Sequence, residues 1–142
     1  MPVELVDTGA GWQLRRAGER YVIQGAGGDD RLEALRQAGG NSIRTWGADQ
    51  VAPVLDRAHA MGLTVSVGIW LGHERHGFDY TDEEAVHAQA ERARKVILRY
   101  RDHPAVLLWS IGNEMEASGD NPAVWSAVNQ IARICHALDP HH

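Results

Sequence analysis

The apolar positions of this chain form short β-type runs that alternate with longer helical stripes. Val106-Leu107-Leu108-Trp109-Ser110-Ile111 is almost continuously apolar, which suits a strand buried on both faces, as in a parallel sheet. Leu63 to Ile69, with β-branched Thr64, Val65 and Val67, reads as another strand, as do Asn41-Ser42-Ile43-Arg44 and Tyr21-Val22-Ile23. The stripes between them predict helices. Asp30 is expected to cap a short one through Ala38, with Leu32 and Leu35 inward and Gly39-Gly40 as its stop. Val51, Val54, Leu55, Ala58 and Met61 line one side of a helix from about Gln50 to Met61, in which Pro53 is tolerable only in the first turn. Thr81 with Glu84 predicts a capping box for a helix ending near Arg101, with Val86, Ala90, Ala93, Ile97 and Tyr100 inward. Asn121-Pro122 is a cap followed by a first-position proline for a last helix to about Leu138, after a loop over 116–120.

Strand and helix thus alternate four times, after a small β element built from Val3–Val6 and Trp12–Arg16 with turns at Gly9-Ala10-Gly11 and Ala17-Gly18-Glu19. This predicts an α/β fold, a parallel sheet with helices packed outside, with residues 1–20 as an N-terminal β preface and 21–142 as four βα units. The connections are unequal. Helix-to-strand links are tiny: Gly39-Gly40, Gly62, Asp102 to Pro104. Strand-to-helix links are longer and hold most of the glycines, aromatics and chemically useful side chains. Carboxyl ends of strands carry the site in parallel α/β folds. The chemistry is therefore expected on that face, where Gly112 lets the chain bend and Asn113-Glu114 leaves the strand.

Composition narrows the function classes. The chain has 142 residues, 44% hydrophobic and 23% charged, enough for one domain with a core. A net charge of -5 without a basic cluster argues against nucleic acid. No apolar run approaches the roughly 20 residues of a membrane span, and no basic region leads into an apolar core at the N-terminus, so a cytoplasmic location is expected. The single cysteine, Cys135, follows the helical series Val124, Val128, Ile131, Cys135, Leu138 and is expected to be a packing residue. The glycine-rich Gln24-Gly25-Ala26-Gly27-Gly28 stretch lacks Gly-Lys-Ser/Thr and dinucleotide spacing, which leaves glycines that let the backbone pass close to a neighbour. A metal reading of His73 and His76 with Glu74 or Asp79 finds no His-x-His and no His-Glu-x-x-His, and no cofactor is implied.

Three elements in order resemble one family. They are Asn41-x-Ile43-Arg44-x-Trp46 after a Gly-Gly helix stop, the Gly68-Ile69-Trp70 strand end, and Trp109-Ser110-Ile111-Gly112-Asn113-Glu114. Together they resemble the (β/α)8 TIM-barrel domain of the retaining glycoside hydrolases of clan A, most closely family 2, the β-galactosidase and β-glucuronidase group. The similarity runs from about Tyr21 to Pro140, the first four units, or half, of a barrel. It implies that Glu114 is the general acid/base, that Asn113 binds the sugar 2-hydroxyl, and that Arg44 hydrogen-bonds the nucleophile. It also implies that Trp46 and Trp70 line the sugar pocket and that His73 and His76 lie on the third-strand loop, which often contacts substrate.

The residue types fit the chemistry. A glycosidic oxygen leaves poorly unless it is protonated as the bond breaks, and a carboxyl group can supply that proton and then activate the water that frees the sugar. The resemblance also requires a nucleophilic glutamate on a seventh strand, beyond the four units read here. Glu116 is a poor substitute, since it follows Glu114 by two residues and a retaining pair sits about 5–5.5 Å apart across the scissile bond. The alternative is a non-catalytic half-barrel that binds carbohydrate and forms a homodimer through its exposed edges.

Overall fold

The computed structural model describes residues 1–116 and 120–142. The loop expected over 116–120 includes residues 117–119, which lie outside the described residues. Two sheets are present. Strands β1 (Val3–Asp7), β2 (Trp12–Arg16) and β3 (Glu19–Arg20) form an antiparallel sheet in that order. Strands β4 (Gly25–Gly27), β5 (Ser42–Arg44), β6 (Thr64–Ile69) and β7 (Val106–Ile111) form a second, all-parallel sheet in chain order. Helices α1 (Leu32–Gln37), α2 (Val51–Ala60), α3 (Glu83–Tyr100) and α4 (Pro122–Leu138) follow its successive strands. Sequential parallel strands with one helix after each are four consecutive units of a (β/α) barrel, whereas a doubly wound sheet reverses its strand order at a switch point.

The apolar pattern explains the packing. Ile43, Val65, Val67 and Val106 are buried against Leu32 of α1 and Val51, Val54, Leu55 and Ala58 of α2. Ile69 and Leu71 pack with Ala90, Ala93 and Ile97 of α3 and with Val124, Ala127, Ile131 and Cys135 of α4. Trp109 touches both clusters and ties its indole N–H to Asp139 Oδ2 at 2.8 Å. The intervening positions Ser42, Thr64, Ser66 and Gly68 alternate with these and are small or polar. The expectation that β7 is buried on both faces holds for Val106 and Leu107, whereas Leu108 to Ile111 are half-buried. Val65 pairs with Val106 but Ser66 with Leu108, so Leu107 is the extra residue of a bulge, and it is fully buried.

Three expectations are corrected. Tyr21-Val22-Ile23 is not a strand; the first parallel strand is Gly25–Gly27, inside the glycine-rich stretch. The reason is close approach. A Cβ on Gly25 would fall against the Ser42 carbonyl, and one on Gly27 would sit 2.8 Å from the Trp46 ring. Tyr21 instead donates its hydroxyl to Asn41 O at 2.9 Å below the sheet. Asp30 does not cap α1, which begins after Arg31 in a left-handed conformation with no side-chain cap. The cap of α3 is Asp82, which accepts from the Glu84 and Ala85 amides, because Thr81 is turned back to Asp79. Asn121 caps α4 by accepting from Ala123 N, with Pro122 next, as expected. Among the described residues no helix is long and apolar enough to cross a membrane.

Candidate active site

The carboxyl end of β5 is shaped by a glycine in its neighbour. Gly68 N donates to Thr45 Oγ1 at 3.1 Å, and Thr45 N donates to Ser66 O at 3.0 Å. A Cβ on Gly68 would lie 2.5 Å from Trp46 O and closer still to Thr45 O, so only glycine lets the Thr45-Trp46 backbone lie across β6. That crossing carries Trp46 to the surface, 43% exposed, with the Arg44 guanidinium 5.8 Å from its ring. Arg44 Nη2 reaches past β6 and donates to Asn113 Oδ1 at 3.0 Å. Its Nε is buried without a hydrogen-bond partner among the described residues.

The long β6–α3 loop is pinned at its start. Gly72 N donates to Gln89 Oε1 at 2.7 Å, and Gly72 O accepts the Tyr80 hydroxyl at 2.6 Å. Burial pushes the Tyr80 phenol above its ordinary value. Asp79 accepts from both the hydroxyl and the amide of Thr81, which hold its carboxyl below the usual range. From this footing a short 3-10 turn, Glu74–His76, reaches the end of β7. Glu74 accepts from Asn121 Nδ2 at 2.6 Å, which fastens the turn to the start of α4. His73 is 3% exposed, and its Nε2 lies 2.5 Å from the carbonyl oxygen of Asn113. The rings of Trp70 and His76 meet His73 edge to face at 4.7 and 5.3 Å.

The β7 terminus turns sharply. Gly112 N still donates to Ile69 O at 2.9 Å, yet Gly112 has φ +69° and Glu114 has φ +49°. Met115 folds back against Gly112 and is buried. A left-handed Glu114 with its follower packed inward throws the carboxylate outward. It is 69% exposed and accepts from Arg75 Nη2 at 3.3 Å. Non-glycine residues in this region carry strain of order 1–3 kcal/mol, and they cluster at functional sites.

Arg44, Asn113, His73, Trp70, His76 and Trp46 thus form one chain of contacts, and Glu114 joins it at the next peptide. Arg75 was not legible as a site residue, because a lone arginine in a polar loop gives no signal. The Glu74–Asn121 tie was equally hidden across 47 positions. Among the described residues no group of three or more His, Cys, Asp or Glu could hold a metal ion. In particular, His73 directs Nε2 to a carbonyl.

Four parallel strands in chain order, with an arginine, aromatics and an Asn-Glu pair gathered at their carboxyl ends, define a segment of a TIM-barrel domain with its candidate site on that face. The chain belongs to glycosyl hydrolases family 2, TIM barrel domain, whose family model matches residues 32–140. It is 30% identical over 64 residues to mannan endo-1,4-β-mannosidase F of Aspergillus clavatus, a match covering 44% of this chain and 15% of that protein. Among solved structures it resembles a Bifidobacterium dentium β-glucuronidase complexed with coumarin-3-O-glucuronide, with TM-score 0.77 and 20% identity, over 99% of this chain and 25% of that one. It also resembles a family 2 β-galacturonidase from Eisenbergiella tayi bound to galacturonate, with TM-score 0.72 and 19% identity, over 98% of this chain and 27% of that one. At these identities the likeness speaks for the fold.

Proposed function

We propose that this chain is the first half of the catalytic barrel of a retaining glycoside hydrolase acting on a β-linked sugar, with residues 1–20 as its β preface and 21–142 as four βα units. Glu114 is the general acid/base: it protonates the glycosidic oxygen and then deprotonates the incoming water. Asn113 receives the sugar 2-hydroxyl. Trp46 and Trp70 offer exposed indole faces to the C–H faces of the sugar, and His76 lies beside them. The nucleophile is a second glutamate from a later strand of a complete barrel.

The observation that carries this reading is the Arg44 fork. One guanidinium arm is spent on Asn113 Oδ1 at 3.0 Å, and Nε is buried without a partner among the described residues. Buried donors are normally satisfied, and a carboxylate is the strongest acceptor for a guanidinium. An arginine that both orients the 2-hydroxyl ligand and faces a carboxylate nucleophile would keep that nucleophile ionised. The relatives' names suggest β-mannosides, β-glucuronides and β-galacturonides as the sugars to try first.

The test uses the whole polypeptide that carries this chain, assayed on 2,4-dinitrophenyl, 4-nitrophenyl and phenyl β-glycosides of those three sugars. Glu114→Gln is expected to abolish turnover of the phenyl glycosides. It should spare kcat/KM on the dinitrophenyl ones, whose leaving group needs no proton. Azide should accelerate the variant by replacing water that needs a base. Unchanged turnover of the phenyl glycosides would sink the assignment of Glu114.

A further inference from the structure

His73 differs from the other aromatic and basic residues at this face. It is 3% exposed, where Trp46 and Trp70 are 43% and 49% exposed, so little of its ring is open to a sugar. Its Nε2 is already committed to the backbone carbonyl of Asn113. A carbonyl only accepts, so Nε2 carries a proton and donates. Nδ1 is buried without a partner among the described residues. Trp70 and His76 close on two sides of the ring, which restricts its rotation.

The carbonyl that His73 holds belongs to the peptide that joins Asn113 to Glu114. Holding that peptide fixes the N–Cα axis from which Glu114 departs, in a left-handed turn with φ +49°. A glutamate has no intrinsic reason to stay left-handed. Among the described residues Arg75 is the one side chain hydrogen-bonded or ion-paired to Glu114 itself, and both members of that pair are well exposed. Exposed pairs contribute little and are screened by salt. The buried bond from His73 is the stronger hold on the backbone from which the Glu114 side chain departs. On the far side, Arg44 grips the Asn113 side chain, so one residue is held by both its backbone and its amide.

We infer that His73 is a positioning residue, which sets the direction of the Glu114 carboxylate by holding the Asn113–Glu114 peptide; this rests on the acid/base reading of Glu114. It is not a sugar contact. The Glu74–Asn121 bond and the pinned Gly72 make the turn that bears His73 a rigid bracket, built from α4 and α3. Misplacing a reacting group by about 1 Å costs on the order of 100-fold in rate. A loss confined to proton transfer is expected when the bracket is cut.

The experiment compares His73→Leu, His73→Gln and Glu114→Gln with the parent, in the whole polypeptide, on the dinitrophenyl and phenyl β-glycosides named above. His73→Leu removes the donor. His73→Gln places an amide N–H where Nε2 was. The expected result for His73→Leu is a fall of about 10- to 100-fold in kcat/KM on phenyl glycosides, with little change in kcat/KM on dinitrophenyl glycosides, where any fall in kcat from a slower water step is matched by a fall in KM. His73→Gln should recover most of the loss. An equal fall on both leaving groups, or no rescue by Gln, would overturn the inference by showing a merely structural histidine. So would His73→Leu turnover equal to the parent on both. If Glu114→Gln itself shows no leaving-group dependence, the acid/base reading fails first, and this inference with it.

Discussion

Gly68→Ala tests whether the close crossing of β5 over β6 builds the site. The added methyl would stand 2.5 Å from Trp46 O and closer to Thr45 O, against backbone on both counts. Ordinary carbon–oxygen contact needs roughly another 0.8 Å, and neither atom belongs to a flexible side chain that could swing away. The end of β5 must lift off β6. Lifting stretches the Gly68 N to Thr45 Oγ1 bond and the Thr45 N to Ser66 O bond. Two bonds at about 1 kcal/mol each, with overpacking of about 1–3 kcal/mol, give a loss of about 3–5 kcal/mol. Gly47→Ala is the control, because its methyl would meet only Trp70 Cβ at 3.7 Å, an ordinary contact. The assay is urea unfolding followed by tryptophan fluorescence, with the slope checked for constancy before midpoints are compared. Gly68→Ala within about 0.5 kcal/mol of the parent would refute the close crossing and, with it, the account of why Trp46 stands at the surface.

Other perturbations probe the bracket and the core. Asn121→Asp keeps the helix cap but sets a carboxylate against Glu74, in place of the 2.6 Å amide bond. It is expected to destabilise by about 1–2 kcal/mol at neutral pH; Asn121→Ser, which keeps a cap without the charge, separates loss of the bond from charge repulsion in the same melts. Leu107→Ala removes a fully buried side chain at the β7 bulge and should cost about 2–5 kcal/mol in denaturant titrations. Burial, with Asp139 adding to it, pushes the Cys135 thiol up to about 11 from an ordinary value of 9.0. Iodoacetamide followed by mass spectrometry should therefore leave Cys135 unlabelled near pH 8 until the protein is unfolded. Because the raised value favours the protonated folded state, its stabilising contribution is full below pH 9 and is lost as the pH rises through 11. The unfolding midpoint should fall over that window by less in Cys135→Ala.

The sequence pattern carried the strands and helices wherever an apolar face dictated them. β7 was read at its actual bounds, and the buried stripes of α2, α3 and α4 were read correctly, since burial in water selects those positions whatever the neighbours are. It misplaced elements where a distant backbone decides. The first parallel strand consists of Gly25, Ala26 and Gly27, which have no hydrophobic pattern at all; they form a strand because Ser42 and Trp46 leave room for nothing larger. The cap of α3 was misread for a related reason. Asp79, Thr81 and Asp82 are all capable cap residues, and their competition is settled by the turn that precedes the helix. The Asn113-Glu114 pair and Arg44 were visible as residues, but the Arg44–Asn113 bond and the His73–Asn113 bond each join parts of the chain that only the β5–β6–β7 order brings together.

Stability and chemistry lie at opposite ends of the same strands. Below the sheet, the polar side chains are consumed by structure. Tyr21 bonds Asn41 O and Thr64 Oγ1, Arg16 bonds Pro104 O at 2.7 Å, and Arg101 bonds Leu138 O at 2.7 Å. Asp139 gathers both the Trp109 indole and His142, and Val3 N reaches His141 O. These contacts bind the antiparallel preface and the end of α4 to the strand starts. Above the sheet, the carboxylate of Glu114 and the indoles of Trp46 and Trp70 are left to solvent, while Arg44 keeps an unspent buried donor. Among the described residues the left-handed region holds the non-glycine residues Ala17, Arg31, Gln50 and Glu114, and of these Glu114 stands at the candidate site, in the sharp bend of Gly112–Glu114. That bend is what the bracket of His73, Glu74 and Asn121 holds. Substitutions on the lower rim should therefore move the unfolding midpoint with little effect on leaving-group dependence, whereas those in the bracket should change leaving-group dependence whatever they do to the midpoint, and the two classes of residue can be told apart without knowing the sugar.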